Sequence, residues 1–187
     1  MASVRGGAYR ACTLHDAARS APDGHVMSTD MGGSSNPRST ASIAGHPLHP
    51  MVIPFPIASF VGALAADIAF INTGNEFWVV AAQWLLGVGI VTALIAAVGG
   101  FIDYFGDARI RALAPARRHM IGNLSLVVLE VLSLLVRAGD NSAEAVVPLG
   151  VSLSAVGVLL LLFNGWQGWE MVYRHRVGIA DRTTDRA

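Results

Sequence analysis

Four apolar stretches constrain this chain more than anything else in it. They cover residues 52–71, 78–102, 120–136 and about 146–169. An α-helix needs about 20 residues, with a range of roughly 17–25, to cross the hydrocarbon core of a bilayer. Each stretch meets that length. Inside lipid no water is available to the backbone, so a lone spanning segment must be a helix that satisfies its own N–H and C=O groups. The expected fold is therefore all-α: an integral membrane four-helix bundle, preceded by a disordered N-terminal tail. Composition agrees with this, since only 14% of the residues are charged, against about 25% in an ordinary soluble domain. Mean hydropathy is +0.51.

The links sort the spans. Residues 72–76 and 139–142 are short and polar, which makes consecutive helices antiparallel neighbours. The middle loop, 103–118, carries Arg109, Arg111, Arg117 and Arg118; further arginines precede the first span and follow the last. The chain has no lysine, and every arginine except Arg137 falls on one side of this topology. The positive-inside rule makes that side cytoplasmic, so both termini are expected there. Residues 1–44 are rich in Gly, Ser, Ala, Asp and Arg and read as a disordered cytoplasmic tail. Residues 45–177 form the transmembrane domain, and 178–187 a C-terminal cytoplasmic tail. The single cysteine, Cys12, excludes an intrachain disulfide and any CxxC site.

Histidines gather at the arginine-rich side. His46 and His49 lie in Gly45-His46-Pro47-Leu48-His49-Pro50, directly before the first span. His119 opens the third span, His175 follows the fourth, and Asp103 closes the second at the same level. These five are the candidate ligands for a transition metal or a haem. Both His46 and His49 precede a proline, which biases them toward extended backbone. Three such residues advance about 9 Å, too far for two rings to chelate one ion at metal–nitrogen distances near 2.1 Å. Ligands would have to come from different helices; His49 with His119, and His46 with His175, are the pairs to test. The alternative is that these side chains cap helices, touch lipid phosphates or bond a carboxylate such as Asp103.

Three polar residues lie inside the spans: Asp67, Asn123 and Glu130. Polar groups at such depth are expensive and face the bundle interior. His119, Asn123, Val127 and Glu130 follow helical spacing along one stripe, with Ser133 beside it. Glu130, about ten residues into its span, suits either a proton relay or a neutral acid bonded to a neighbouring helix. Asp67, nearer the far end of its span, is expected to partner Gln83 or the adjoining loop. The pairs Gly62/Ala66, Gly89/Ala93 and Ala96/Gly100 have the spacing that lets helices approach closely in lipid.

Other chemistry is missing from the sequence. No phosphate-binding glycine loop, HExxH, GxSxG or nucleophile–base pair is present, so an enzyme is not expected. The basic loop is a topology determinant that touches lipid, and nucleic acid is not an expected partner.

Several of these residues together resemble a bacterial membrane family, domain of unknown function 2231. The likeness rests on Gly45 to Pro50 followed by Pro54-Phe55-Pro56-Ile57, on Asp67, on Gly99-Gly100 before Asp103, on His119 with Asn123, and on the ending Gly165 to His175. It covers about residues 44–180. Trp169 stands where a second glycine is usual, and Glu130 lies outside the pattern. The resemblance implies a four-span protein of the bacterial inner membrane. Some relatives are associated with Rieske-type or cytochrome-like partners, so it implies a redox protein partner and electron transfer as well. The leading expectation is a redox or metal-handling accessory, with haem b or a transition metal on the histidine cluster. The rival is a membrane scaffold or small-solute carrier whose histidines are interfacial anchors.

Overall fold

The computed structural model describes residues 36–139 and 141–179. Of the tails expected over residues 1–44 and 178–187, residues 1–35 and 180–187 lie outside them.

The described chain opens with two short strands, β1 (Ser42–Ile43) and β2 (His46–Pro47), paired antiparallel with Ile43 opposite His46. Ala44 and Gly45, both at positive φ, make the turn between them. A one-turn helix α1 (Leu48–Val52) leads into α2 (Pro54–Thr73). Then come α3 (Phe77–Gly106), the short α4 (Ala108–Ala112), α5 (Ala114–Arg137), a single turn α6 (Ser142–Ala145) and α7 (Val151–Tyr173). Between α6 and α7 the chain takes a widened turn over Val146–Gly150, where Val147 leaves helical geometry.

Local chemistry explains these boundaries. Pro54 and Pro115 sit in the first turns of α2 and α5, where a missing N–H costs nothing. Gly74, at φ 65°, ends α2 in the left-handed region that favours glycine. Asp107 caps α4 by accepting the Arg109 N–H at 2.8 Å. The same carboxylate takes hydrogen bonds from the Arg109 guanidinium, which hold its pKa down at about 2 against burial, with the Arg38 N–H adding to the effect.

Four helical stretches are long and apolar enough to cross a membrane: Leu48–Thr73, Phe77–Gly106, Ala114–Arg137 and Ser142–Tyr173. α2 packs along α3, α3 along α5, α5 along α7, and α7 returns to α2. The core is small: Phe60, Ala63, Leu86 and Leu126, flanked by Leu85, Ile90, Leu134 and Leu160. Gly89 makes room for the Phe60 ring, since a Cβ there would stand 2.5 Å from Phe60 Cε1. Gly62 likewise faces Leu85. The small residues thus serve packing within the chain. Outward, Trp84, Val91, Val98, Val128, Leu159 and Leu162 are exposed, an apolar surface suited to lipid rather than water.

Residues 36–44 differ from the sequence expectation of a tail. They form a strap across the end of α3. Asp103 accepts from Ser39 Oγ at 2.9 Å and from the Ala41 N–H at 2.7 Å, while Thr40 Oγ1 donates to the Ile102 carbonyl. The strap also meets the C-terminal segment, through Gly178 N–H to the Pro37 carbonyl and Asn36 Nδ2 to the Ile179 carbonyl. A carboxylate at a helix end collected these donors, and composition alone does not display that.

Candidate functional site

Because the spans run antiparallel, His46, His49, Asp103, His119 and His175 share one end of the bundle. They do not share one site. His46 lies on β2, exposed, with Nδ1 at 3.1 Å from the Ala44 carbonyl. Among the described residues, no ring contact or hydrogen bond joins it to His175. Asp103 is taken up by the strap. No group of three or more His, Cys, Asp or Glu able to hold a metal occurs among the described residues. The five candidate ligands thus share a level of the bundle without forming one cluster among the described residues. Equal depth along a helix says nothing of the direction in which each side chain leaves it.

One pair does meet. The rings of His49 and His119 lie with centroids 6.1 Å apart and planes at 85°. His49 comes from α1 rather than from an extended segment, a second departure from expectation. Its proline, Pro50, is the third residue of that helix, where no intrahelical N–H bond is required. His49 Nδ1 lies 2.7 Å from the Ala96 carbonyl on α3, and His119 Nδ1 lies 2.9 Å from the Asn164 carbonyl on α7. A backbone carbonyl only accepts, so in each ring Nδ1 carries the proton. The neutral ring then keeps a bare lone pair on Nε2. Neither Nε2 has a hydrogen-bond partner among the described residues.

Glycines let these two histidines pack closely against their neighbours. A Cβ on Gly100 would stand 3.2 Å from His49 Cε1 and Nδ1, one on Gly99 3.4 Å from the His49 backbone nitrogen, and one on Gly168 3.4 Å from His119 Cε1. Beside the pair, Asn164 Nδ2 donates to Asn123 Oδ1 at 3.2 Å. Asn164 Oδ1 presses on Gly122 without a partner, and Gln167 Oε1 is also buried and unpartnered. Asn164 and Gln167 stand out in sequence only as amides inside the apolar fourth span.

The far end of the bundle is chemically different. Arg137 and Asp67 form an ion pair with both side chains wholly buried. Nη1 and Nη2 donate to the two carboxylate oxygens at 2.5 and 2.8 Å. Ser154 Oγ donates to Asp67 at 2.7 Å and accepts from Arg137 at 2.9 Å; Arg137 Nε reaches Ser133 Oγ. Gln83 donates to the Arg137 carbonyl, not to Asp67 as the sequence suggested. Gly150 leaves room for the guanidinium, since a Cβ there would lie 2.9 Å from Nη2. A bidentate pair in which every nitrogen and oxygen has a partner is the arrangement in which buried charges stabilise rather than penalise a fold.

Glu130 lies between these two ends, 1% exposed, and among the described residues neither carboxyl oxygen has a hydrogen-bond partner.

No curated protein and no solved structure matches the chain. A family description, predicted membrane protein (DUF2231), matches residues 45–181. That interval holds the His49–His119 pair, the Asp67–Arg137 network and all four spans. The chain belongs to this family of membrane proteins.

Proposed function

We propose that the protein is a multi-pass protein of the bacterial inner membrane, with cytoplasmic termini, in which His49 and His119 hold a haem or a transition metal for a redox or metal-handling role. One observation carries this reading. Two imidazoles from different helices are each tethered by an Nδ1–H to a backbone carbonyl. Metal-ligating histidines are commonly fixed in this way, with Nε2 left to bind.

Proximity supports it: the two ring centres lie 6.1 Å apart. The donor set is two imidazoles, with no third His, Cys, Asp or Glu beside them among the described residues; histidine is a ligand that would suit a haem iron. Arginine placement supports the orientation, as the strap and the residues after α7 belong to the arginine-rich side.

The test is purification in mild detergent, with the visible spectrum and metal content recorded. A Soret band or stoichiometric metal, lost in His49→Ala and in His119→Ala, is expected. Should both variants keep wild-type function in cells while helix-packing substitutions abolish it, the scaffold or carrier reading replaces this one.

A further inference from the structure

Glu130 is the buried ionisable group that the histidine pair leaves unexplained. It projects from α5 toward α7, where a Cβ on Gly157 would fall 1.9 Å from Oε1. That glycine opens the space in which the carboxyl lies. Both oxygens are buried and without a hydrogen-bond partner.

The nearby cation does not neutralise it. Arg137, two turns further along α5, has its guanidinium committed to Asp67, Ser133 and Ser154. Asp67, from α2, adds like charge. The other packed elements offer no counter-ion at this level. On α3 the titratable residues are Asp103 and Tyr104, and on α7 they are Glu170 and Tyr173, all at the opposite end. An unpaired carboxylate buried in an apolar interior is far costlier than a neutral acid with an unmade hydrogen bond.

We infer that Glu130 is a proton-binding site inside the membrane domain, set between the polar ends of the α5–α7 seam. The ligand is the proton rather than a metal cation, because a cation such as sodium or calcium needs several oxygen ligands and the neighbouring Asp67 carboxylate is committed to Arg137 and Ser154. The seam offers neighbours on both sides. Ser133 lies one turn away toward Asp67–Arg137. Asn123 and Asn164 lie toward the histidines, about 10 Å along the helix from Glu130, with Leu126 between. This assignment does not depend on what the histidines bind.

The experiment is labelling of the full-length protein, reconstituted in neutral-lipid vesicles, with the apolar reagent dicyclohexylcarbodiimide, which attacks protonated carboxyls. Peptide mapping by mass spectrometry locates the adduct in the wild-type chain. Modification of Glu130 at neutral pH is expected. It should fall up to tenfold per pH unit once the medium is alkaline enough to ionise the acid, and be unaffected by sodium. Glu130→Gln should lose the adduct while Asp67 and Asp103 stay unmodified. Absence of label on Glu130, or protection by sodium at constant pH, would overturn the assignment. Neither result bears on the Soret band or metal content, so the two proposals fail separately.

Discussion

The two ends of the bundle bury polar side chains in opposite ways. At the Asp67–Arg137 end, the carboxylate and guanidinium are paired and their remaining groups are taken up by Ser133 and Ser154. At the His49–His119 end, each ring makes one bond to a carbonyl, and Asn164 Oδ1 and Gln167 Oε1 are left without partners. Saturation is what a structural network needs, because each unmade bond in a buried site costs about 1–3 kcal/mol. The His49–His119 end instead keeps unused polar groups beside tightly packed glycines, and the proposed binding role rests on that difference.

The sharpest way to break the contrast is to remove one charge. Arg137→Ala or Asp67→Ala leaves its partner buried and uncompensated, and should cost about 3–5 kcal/mol in unfolding measured in mixed detergent. Replacing both, as Asp67→Leu with Arg137→Met, should recover most of the loss. If the single substitutions cost no more than a surface change, the network is not the structural anchor described.

Next in size is Gly157→Ala, which drives a methyl into the Glu130 carboxyl and should cost about 1–3 kcal/mol by overpacking. In a Glu130→Ala background that penalty should vanish. A double-mutant cycle reads the coupling directly.

At the histidine end the stability effect should be smaller and the binding effect larger. His49→Ala or His119→Ala removes one hydrogen bond each, worth about 1 kcal/mol, yet should abolish bound cofactor. His46→Ala and His175→Ala should leave both stability and cofactor unchanged. Equal loss of cofactor in all four would contradict a site built on His49 and His119 alone.

The smallest effect belongs to Asp107. Its pKa lies below the usual 3.8, at about 2, so its contribution is present above about pH 4 and is lost as pH falls toward 2. Being a partly exposed pair, it should be modest and screened by salt. Asp107→Asn should remove that acid step from a pH titration of stability.

Hydropathy and arginine placement made the four spans and their antiparallel order legible in the sequence. The spacing of His119, Asn123, Glu130 and Ser133 likewise marked the inward stripe of α5. The strap and Arg137 were harder to read. A window that defines a span by its apolar residues stops at the first charge, so Arg137 was counted with the loop. Yet it lies seven positions beyond Glu130, on the same face, and is the one arginine away from the rest. The histidines show the complementary limit. Sequence gives the depth of His46, His49, His119 and His175, but the direction of each side chain depends on packing. Asn164 and Ala96 offer carbonyls to two of the rings and bring only those two together.

The account is tested most directly by the visible spectrum and metal content of the purified wild-type protein beside His49→Ala and His119→Ala. It predicts a Soret band or stoichiometric metal in the wild type and neither in the two variants. A wild-type protein with neither, or variants that keep what the wild type binds, would contradict it.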